Sequence, residues 1–415
     1  MSVHASPLAL GGSGTGGQHT HVTSLAEALG RRGHEVRVYT RRDAAAPDDV
    51  VTTDGGVTVE HVPAGPAEDL PADALLPHVG DFGRWLAAHW RDDAAHPDVI
   101  HSHFWLSGLA ALTATAEHRI PVVQTYHGLG TVKRRMLKDH DGSPEARIGL
   151  ERTLGTMVDR VVAQCEDEVT ELGRMGIRRS DTVIVPSGVD GELFAPSGPR
   201  ADHLRAGMRR ILSVGPLVPR RGFADLIEAL RRVPGAELVV VGGPAPDHLD
   251  RDPQARRLME LADRCGVGDR VRLIGAVAQR ELPGWYRSAD VLACAPWYEP
   301  FGLTPLEAMS CGVPVVAYEV GGIAESVIDN VTGLLVPPRD VPALAGALRG
   351  LLGDEVRRMS YASAAIDRVR SRYTWERTAA DVERVYRAVT GQGAGGAEAD
   401  SDADADDEAL SDVSS

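Results

Sequence analysis

Glu299-Pro300-Phe301-Gly302-Leu303-Thr304-Pro305-Leu306-Glu307, continued by Ala308-Met309-Ser310-Cys311-Gly312, is the stretch around which this chain is organised. Thr304 is a favourable N-cap, Pro305 suits the first helical position, and Glu307 stands three residues after the cap, where it can close a capping box. The pattern predicts a short helix from Thr304, whose free N–H groups and positive dipole end make an anion site. Gly312 stops that helix and Pro314 opens a buried strand, Val313 to Tyr318. A glycine turn, a helix end and a spare carboxylate at Glu299 suit a phosphorylated ligand with hydroxyls to grip. For Glu307, capping and ligand binding both fit the pattern.

Working outward, the second half alternates continuous apolar strands with helical patterns: Ile211 to Val214, Glu237 to Val241, Val271 to Ile274, Asp290 to Ala295, Val313 to Tyr318 and Gly333 to Val336. Such strands imply a parallel sheet covered on both faces. The first half starts in the same way. Ser2 to Pro7 reads as the end of a clipped strand, the glycines from Gly11 to Gly17 form a loop, a helical pattern follows to Gly33, and Glu35 to Tyr39 is a strand. Further strands are expected at Val57 to Val62, Asp98 to His103, Pro121 to Gly128, Val158 to Cys165 and Val183 to Pro186. Phe82, Trp85, Leu86 and Trp90 mark one broad helix face that reads as core.

Composition bounds the rest. A chain of 415 residues exceeds one ordinary core, and 43% apolar with 25% charged residues suits a soluble globular protein. No run of eighteen apolar residues spans a membrane, and no signal-peptide pattern opens the chain. Cys165, Cys265, Cys294 and Cys311 lack C-x-x-C spacing and read as free thiols of a reducing cytoplasm. The net charge of −15 argues against nucleic acid. Residues 391–415 carry eight acids and no Lys or Arg, leaving −7 for the body, and read as a disordered solvating tail, with protein docking as the alternative.

The motif E-P-F-G-L-x-P-L-E-A-M-x-C-G resembles the two-glutamate signature of the retaining glycosyltransferases of family four. The resemblance covers about residues 3–390 and implies the GT-B fold: two Rossmann-like, doubly wound α/β domains facing a cleft. The implied limits are 1–195 for the acceptor-side domain, 209–374 for the donor domain, 375–390 for a helix crossing back to the first domain, and 391–415 for the tail. Glu307 would hold the ribose of a nucleotide sugar and Glu299 the donor sugar. Gly302, Leu303 and Thr304 would face the phosphates, and Arg287 would lie near the base. Gly16-Gly17-Gln18 resembles the family's entrance loop, with Gly17 approaching the diphosphate, and Thr125-Tyr126-His127 places His127 beside the donor sugar.

The first half is most similar to the branch containing the inositol-phosphate N-acetylglucosaminyltransferase of mycothiol synthesis, and to sucrose-synthase-like enzymes, through H-x-S-P, H-S-H-x-W-L-S-G and H-x-L-x-x-V-K. His19, Phe104 and Gly128 depart from that branch at acceptor positions, while Arg147 matches, so a different and less anionic acceptor is expected. Lys133, Arg134, Arg135, Lys138 and Arg147 read either as a solvated basic face or as an acceptor site. The family's G-R-L-x-x-x-K-G becomes Gly215-Pro216-Leu217-Val218-Pro219-Arg220-Arg221-Gly222. Pro216 removes one phosphate cation, Arg221 keeps the second, and Arg220 is the available compensation. Losing one such donor without replacement would cost about 2.7–4 kcal/mol of barrier.

The expectation is therefore metal-independent, retaining transfer of a hexose from a nucleoside diphosphate sugar, with a UDP-sugar favoured, to a small-molecule or glycan hydroxyl. The nucleotide sugar is the co-substrate and no cofactor is expected. A homodimer is left open. A sugar phosphorylase on this fold and a non-catalytic nucleotide-sugar- or protein-binding relative are the rivals. His101-Ser102-His103 offers two histidines on one strand face, and with no third ligand in view they read as hydrogen-bonded strand-end residues, so no metal site is expected.

Overall fold

The computed structural model describes residues 1–4, 6, 8, 17–44, 48–91, 96–117, 119–137, 141–201, 207–300 and 302–392. Residues 11–16 of the glycine loop, Lys138, Phe301, part of the linker and the acidic stretch 393–415 lie outside them.

The first half opens with α1 (Gly17–Arg31), β1 (Arg37–Arg41), β2 (Val50–Thr52), β3 (Thr58–Val62) and α2 (Val79–His89). Next come β4 (Ile100–His103), α3 (Trp105–Ala114), β5 (Val122–Thr125), α4 (Gly130–Leu137), α5 (Arg147–Met157), β6 (Arg160–Ala163), α6 (Glu166–Arg174) and β7 (Thr182–Ile184). Strands β4-β5-β6-β7 form one parallel sheet, and β1-β3-β2 a second with β2 antiparallel at its edge. The expected first strand is shorter than a named element, yet it joins the two sheets. Ser2 N donates to Tyr39 O at 3.0 Å, Arg41 N to Val3 O at 3.1 Å, and His103 N to Met1 O at 3.0 Å. The aromatic face of α2 is core, with Phe82 and Leu86 fully buried and Trp90 just past the helix end donating to the Tyr39 hydroxyl.

The second half contains β8 (Arg209–Val214), α7 (Phe223–Leu230), β9 (Ala236–Val241), α8 (Pro253–Arg264), β10 (Val271–Gly275), α9 (Leu282–Arg287) and β11 (Val291–Cys294). After them come α10 (Leu303–Ser310), β12 (Val315–Tyr318), α11 (Gly321–Ser326), β13 (Gly333–Val336), α12 (Val341–Gly353), α13 (Glu355–Arg372) and α14 (Trp375–Val389). Its six strands are all parallel, in the order β10-β9-β8-β11-β12-β13. The order reverses beside β8, so the carboxyl ends of β8 and β11 open a crevice of the kind in which doubly wound sheets bind ligands. β9, β11 and β12 are buried at every residue, which is why they read as unbroken apolar runs.

α14 lies on α1. Val382 and Val385 pack with Leu25 and Leu29, Glu383 is ion-paired with Arg32, and Trp375 sets its ring edge-on to His21 at 5.3 Å. Gly188 allows the chain to pass there, because a Cβ would meet Trp375 N at 2.5 Å.

Candidate active site

The opening helix forms with different chemistry at its start. α10 begins at Leu303, and its N-cap is Gly302 in the left-handed conformation (φ 69°), with no side-chain cap. Thr304 is therefore the second helical residue and Pro305 the third, and Glu307 closes no capping box. Glu307 instead accepts a hydrogen bond from the Tyr286 hydroxyl at 2.5 Å. Burial pushes its carboxyl up to about 7, opposed by the Tyr286 bond and the charge of Arg221. Tyr286, from α9, is fully buried and was not singled out by the sequence; its neighbour Arg287 was.

Arg287 is placed elsewhere. Its guanidinium donates to Ala195 O at 3.0 Å and Pro199 O at 2.9 Å, so it straps the interdomain linker.

Arg221, Glu299, Thr304 and Pro305 line one small cavity with Cys294 and Ser213, at the carboxyl ends of β8 and β11. Arg221 Nη1 donates to Glu299 Oε2. Its Nε is buried without a hydrogen-bond partner among the described residues. A buried guanidinium N–H left over in this way is a donor ready for an anion. Gly222 (φ 71°) permits the approach: a Cβ there would sit 1.7 Å from Ala295 O. Arg220 lies within the field of Arg221 and Glu299; burial and Arg221 lower its pKa while Glu299 opposes them. Pro216 is exposed on the same loop and offers no charge.

Across the cleft, α1 starts at Gly17 and points its first turns at α10. Thr20, Thr23, Ser24 and Glu27 share a cavity of about 140 Å³ with Leu303, Glu307, Gln279, Asp190 and Trp375. Hydroxyls of α1 on that wall carry no signal in the sequence, because their spacing is that of any amphipathic helix. His127 lies two residues past β5 with a left-handed backbone (φ 60°), and its Nε2 lies 2.8 Å from His103 Nδ1. His21 meets the His127 ring edge-on at 5.0 Å. Burial holds His21 down at about 3 and His103 and His127 well below the usual range, so all three are neutral.

The proposed acceptor residues gather beneath this edge. Phe104 (φ 75°) stacks between His4, at 4.6 Å, and the Arg147 guanidinium, at 5.1 Å. Arg147 is buried and fully engaged, donating to Glu151 Oε1 at 2.7 Å, Gly128 O at 3.0 Å and Ser143 Oγ at 3.2 Å. Lys133 is paired with Asp73 at 3.2 Å and Asp141 at 3.5 Å. Arg135 pairs with Glu171, so the basic stretch divides into several ion pairs and is not one cationic face. His19 contacts Ser6 O at 3.1 Å.

A parallel α/β sheet in each half, with an arginine, two carboxylates and a helix end at the crevice between them, is the arrangement of a GT-B glycosyltransferase. The comparisons give the family. Glycosyl transferases group 1 matches residues 200–368, and a glycosyl transferase 4-like domain matches residues 16–188. A D-inositol 3-phosphate glycosyltransferase of Xylanimonas cellulosilytica is 37% identical over 406 residues, spanning 94% of this chain and 96% of that protein. One from Kribbella flavida is 36% identical over 406 residues, spanning 94% and 95%. Among solved structures, a sucrose-phosphate synthase from Thermosynechococcus elongatus superposes with a TM-score of 0.84 at 30% identity, over 94% of this chain and 98% of that one. The chain belongs to the group 1 glycosyltransferase family. Such an enzyme binds a nucleotide sugar and an acceptor. Among the described residues no helix is long and apolar enough to cross a membrane.

Proposed function

We propose that the enzyme transfers a hexose from a nucleoside diphosphate sugar, UDP-linked by preference, to a neutral hydroxyl acceptor in the cytoplasm, with retention of anomeric configuration and without a metal ion. The observation that carries this reading is the buried Nε of Arg221, which has no hydrogen-bond partner among the described residues although the same side chain is ion-paired with Glu299 beside the N-terminus of α10. A diphosphate oxygen supplies what that donor lacks. Arg221, the first turn of α10 and Gly17 hold the diphosphate, Arg220 adds charge in place of the residue lost at Pro216, Glu307 takes the ribose hydroxyls, and His127 and Glu299 hold the sugar. As the sugar–oxygen bond breaks, the electron pair leaves with the diphosphate. The acceptor oxygen bonds to the anomeric carbon on the same face, and its proton passes to the departing phosphate oxygen.

The acceptor side favours a ligand less anionic than those in the relatives' names. Lys133 faces Asp73 and Asp141, and Arg147 faces Glu151, so neither cation brings uncompensated charge. Titration calorimetry with UDP, ADP and GDP, followed by donor turnover, tests the proposal. One diphosphate should bind and its sugar conjugate be slowly hydrolysed without acceptor. Binding of inorganic phosphate alone would favour a phosphorylase, and nucleotide binding without turnover a non-catalytic relative.

A further inference from the structure

The histidines at the sheet edge form a cluster that the proposed transfer reaction does not use up. Among the described residues, His21, His103 and His127 each bring a ring nitrogen within 4.8 Å of the other two. All three rings are buried, and they come from three separate stretches: α1, the end of β4 and the residues just past β5. Sequence spacing alone showed His101 and His103 as a pair lacking a third ligand. In the fold His101 stacks on His103 at 4.3 Å but commits both nitrogens elsewhere, Nδ1 2.8 Å from the Tyr386 hydroxyl and Nε2 2.8 Å from Thr125 Oγ1, while His103 finds His127 and His21.

We infer that this cluster is a binding site for a divalent transition-metal ion of the zinc type, held by three imidazoles. Tetrahedral zinc holds imidazole nitrogens at about 2.0–2.1 Å, which sets them about 3.3 Å apart. His103 Nδ1 and His127 Nε2 are already 2.8 Å apart, so for that pair a ring movement of about half an ångström suffices, and His21, whose ring nitrogen lies within 4.8 Å of both, closes the third side. The outer partners are also present. His21 Nδ1 lies 2.9 Å from Ser187 Oγ and 3.2 Å from Gln164 Nε2, so Nε2 is the nitrogen it would turn to the ion. Gln164 Oε1 is buried without a partner among the described residues, and turning that amide gives His21 the acceptor that metal-bound imidazoles require. A cavity of about 470 Å³ lined by Met1, His101 and His103 provides a way in.

An ion there occupies the nitrogen of His127 that faces His103 and fixes the ring, so it competes with the donor sugar. The site is thus inhibitory, not part of the transfer chemistry. That consequence rests on the assignment of His127 to the sugar; the metal binding itself does not.

The test uses untagged, full-length, chelator-treated protein titrated with cobalt(II) and then zinc(II), without nucleotide sugar. One equivalent of cobalt should give the visible ligand-field absorption of a four-coordinate site and be displaced by zinc. Ser187→Ala should weaken the affinity about 10- to 100-fold by removing an outer partner, and His21→Gln should weaken it at least as much. Absence of stoichiometric uptake by the wild type overturns the proposal. Uptake equal to wild type in both variants places the ion at surface histidines and overturns it too. If cobalt binds as expected but zinc leaves donor turnover unchanged, the site stands and the assignment of His127 to the sugar falls.

Discussion

Arg221→Ala separates the two tasks that one side chain performs. In the folded protein, Arg221 neutralises Glu299 through Nη1 and presents a buried, unpartnered Nε to the crevice. Removing the guanidinium takes away a preorganised donor to the leaving diphosphate, and such losses cost about 10²–10³-fold in turnover, or about 2.7–4 kcal/mol. Pro216 makes the upper part of that range the expected one, because the neighbouring cationic position of the family is already empty, while Arg220 sets a floor. The same change leaves the Glu299 carboxylate buried beside an apolar hole. Breaking a fully buried pair costs about 3–5 kcal/mol, and with side-chain exposures of 20% and 9% this pair should fall below that. Arg221→Lys keeps the charge but loses the fork, so it should recover most of the stability and only part of the rate. The assay is nucleoside diphosphate release from the preferred donor, with thermal melting alongside. Arg221→Ala that melts early yet turns over within about threefold of wild type would refute the reasoning, since the arginine would then serve the fold alone.

Three further outcomes follow from the same geometry. Glu307→Gln should weaken nucleotide binding, yet raise the melting temperature above pH 7. A folded-state pKa of about 7 against an ordinary 4.5 means wild-type stability is intact below pH 4.5 and lost as pH rises through 7, by at most about 3 kcal/mol; melts at pH 5 and pH 8.5 check the sign, and equal differences at both would contradict it. Gly222→Ala should cost well over about 1 kcal/mol, because φ is 71° and the added Cβ would meet Ala295 O, and donor turnover should fall with the displaced arginine loop. Trp375→Ala should cost about 3–5 kcal/mol by emptying the buried contact between α14 and α1, read as an earlier thermal transition.

The donor half was legible because its strands announce themselves. β9, β11 and β12 are buried on both faces, so they stand out as apolar runs, and the helix pattern between them leaves little choice of topology. The edge strand β2 escaped notice: Val50 and Thr52 are exposed and Val51 is partly so, and three residues give no periodicity to read. At the site, the signature stretch located α10 within one residue and offered Glu307 as either a cap or a ligand residue. Its capping role was misread because a left-handed glycine at 302 starts the helix one residue early, a backbone fact that side-chain statistics do not carry. Arg287 and Tyr286 are adjacent, but the side chain facing Glu307 is the tyrosine, and only the twist of α9 decides which. That His21 joins His103 and His127 was also out of reach, since residues 21, 103 and 127 meet only after α1 has packed over two strand ends.

Proton NMR of the glycosidic product, formed from an α-linked nucleoside diphosphate hexose and a neutral polyol, tests the central claim most directly. An α-configured glycoside is expected, its anomeric coupling small, with one nucleoside diphosphate released per bond formed. A β-configured product, or glycoside formed with no release of nucleoside diphosphate, would contradict it.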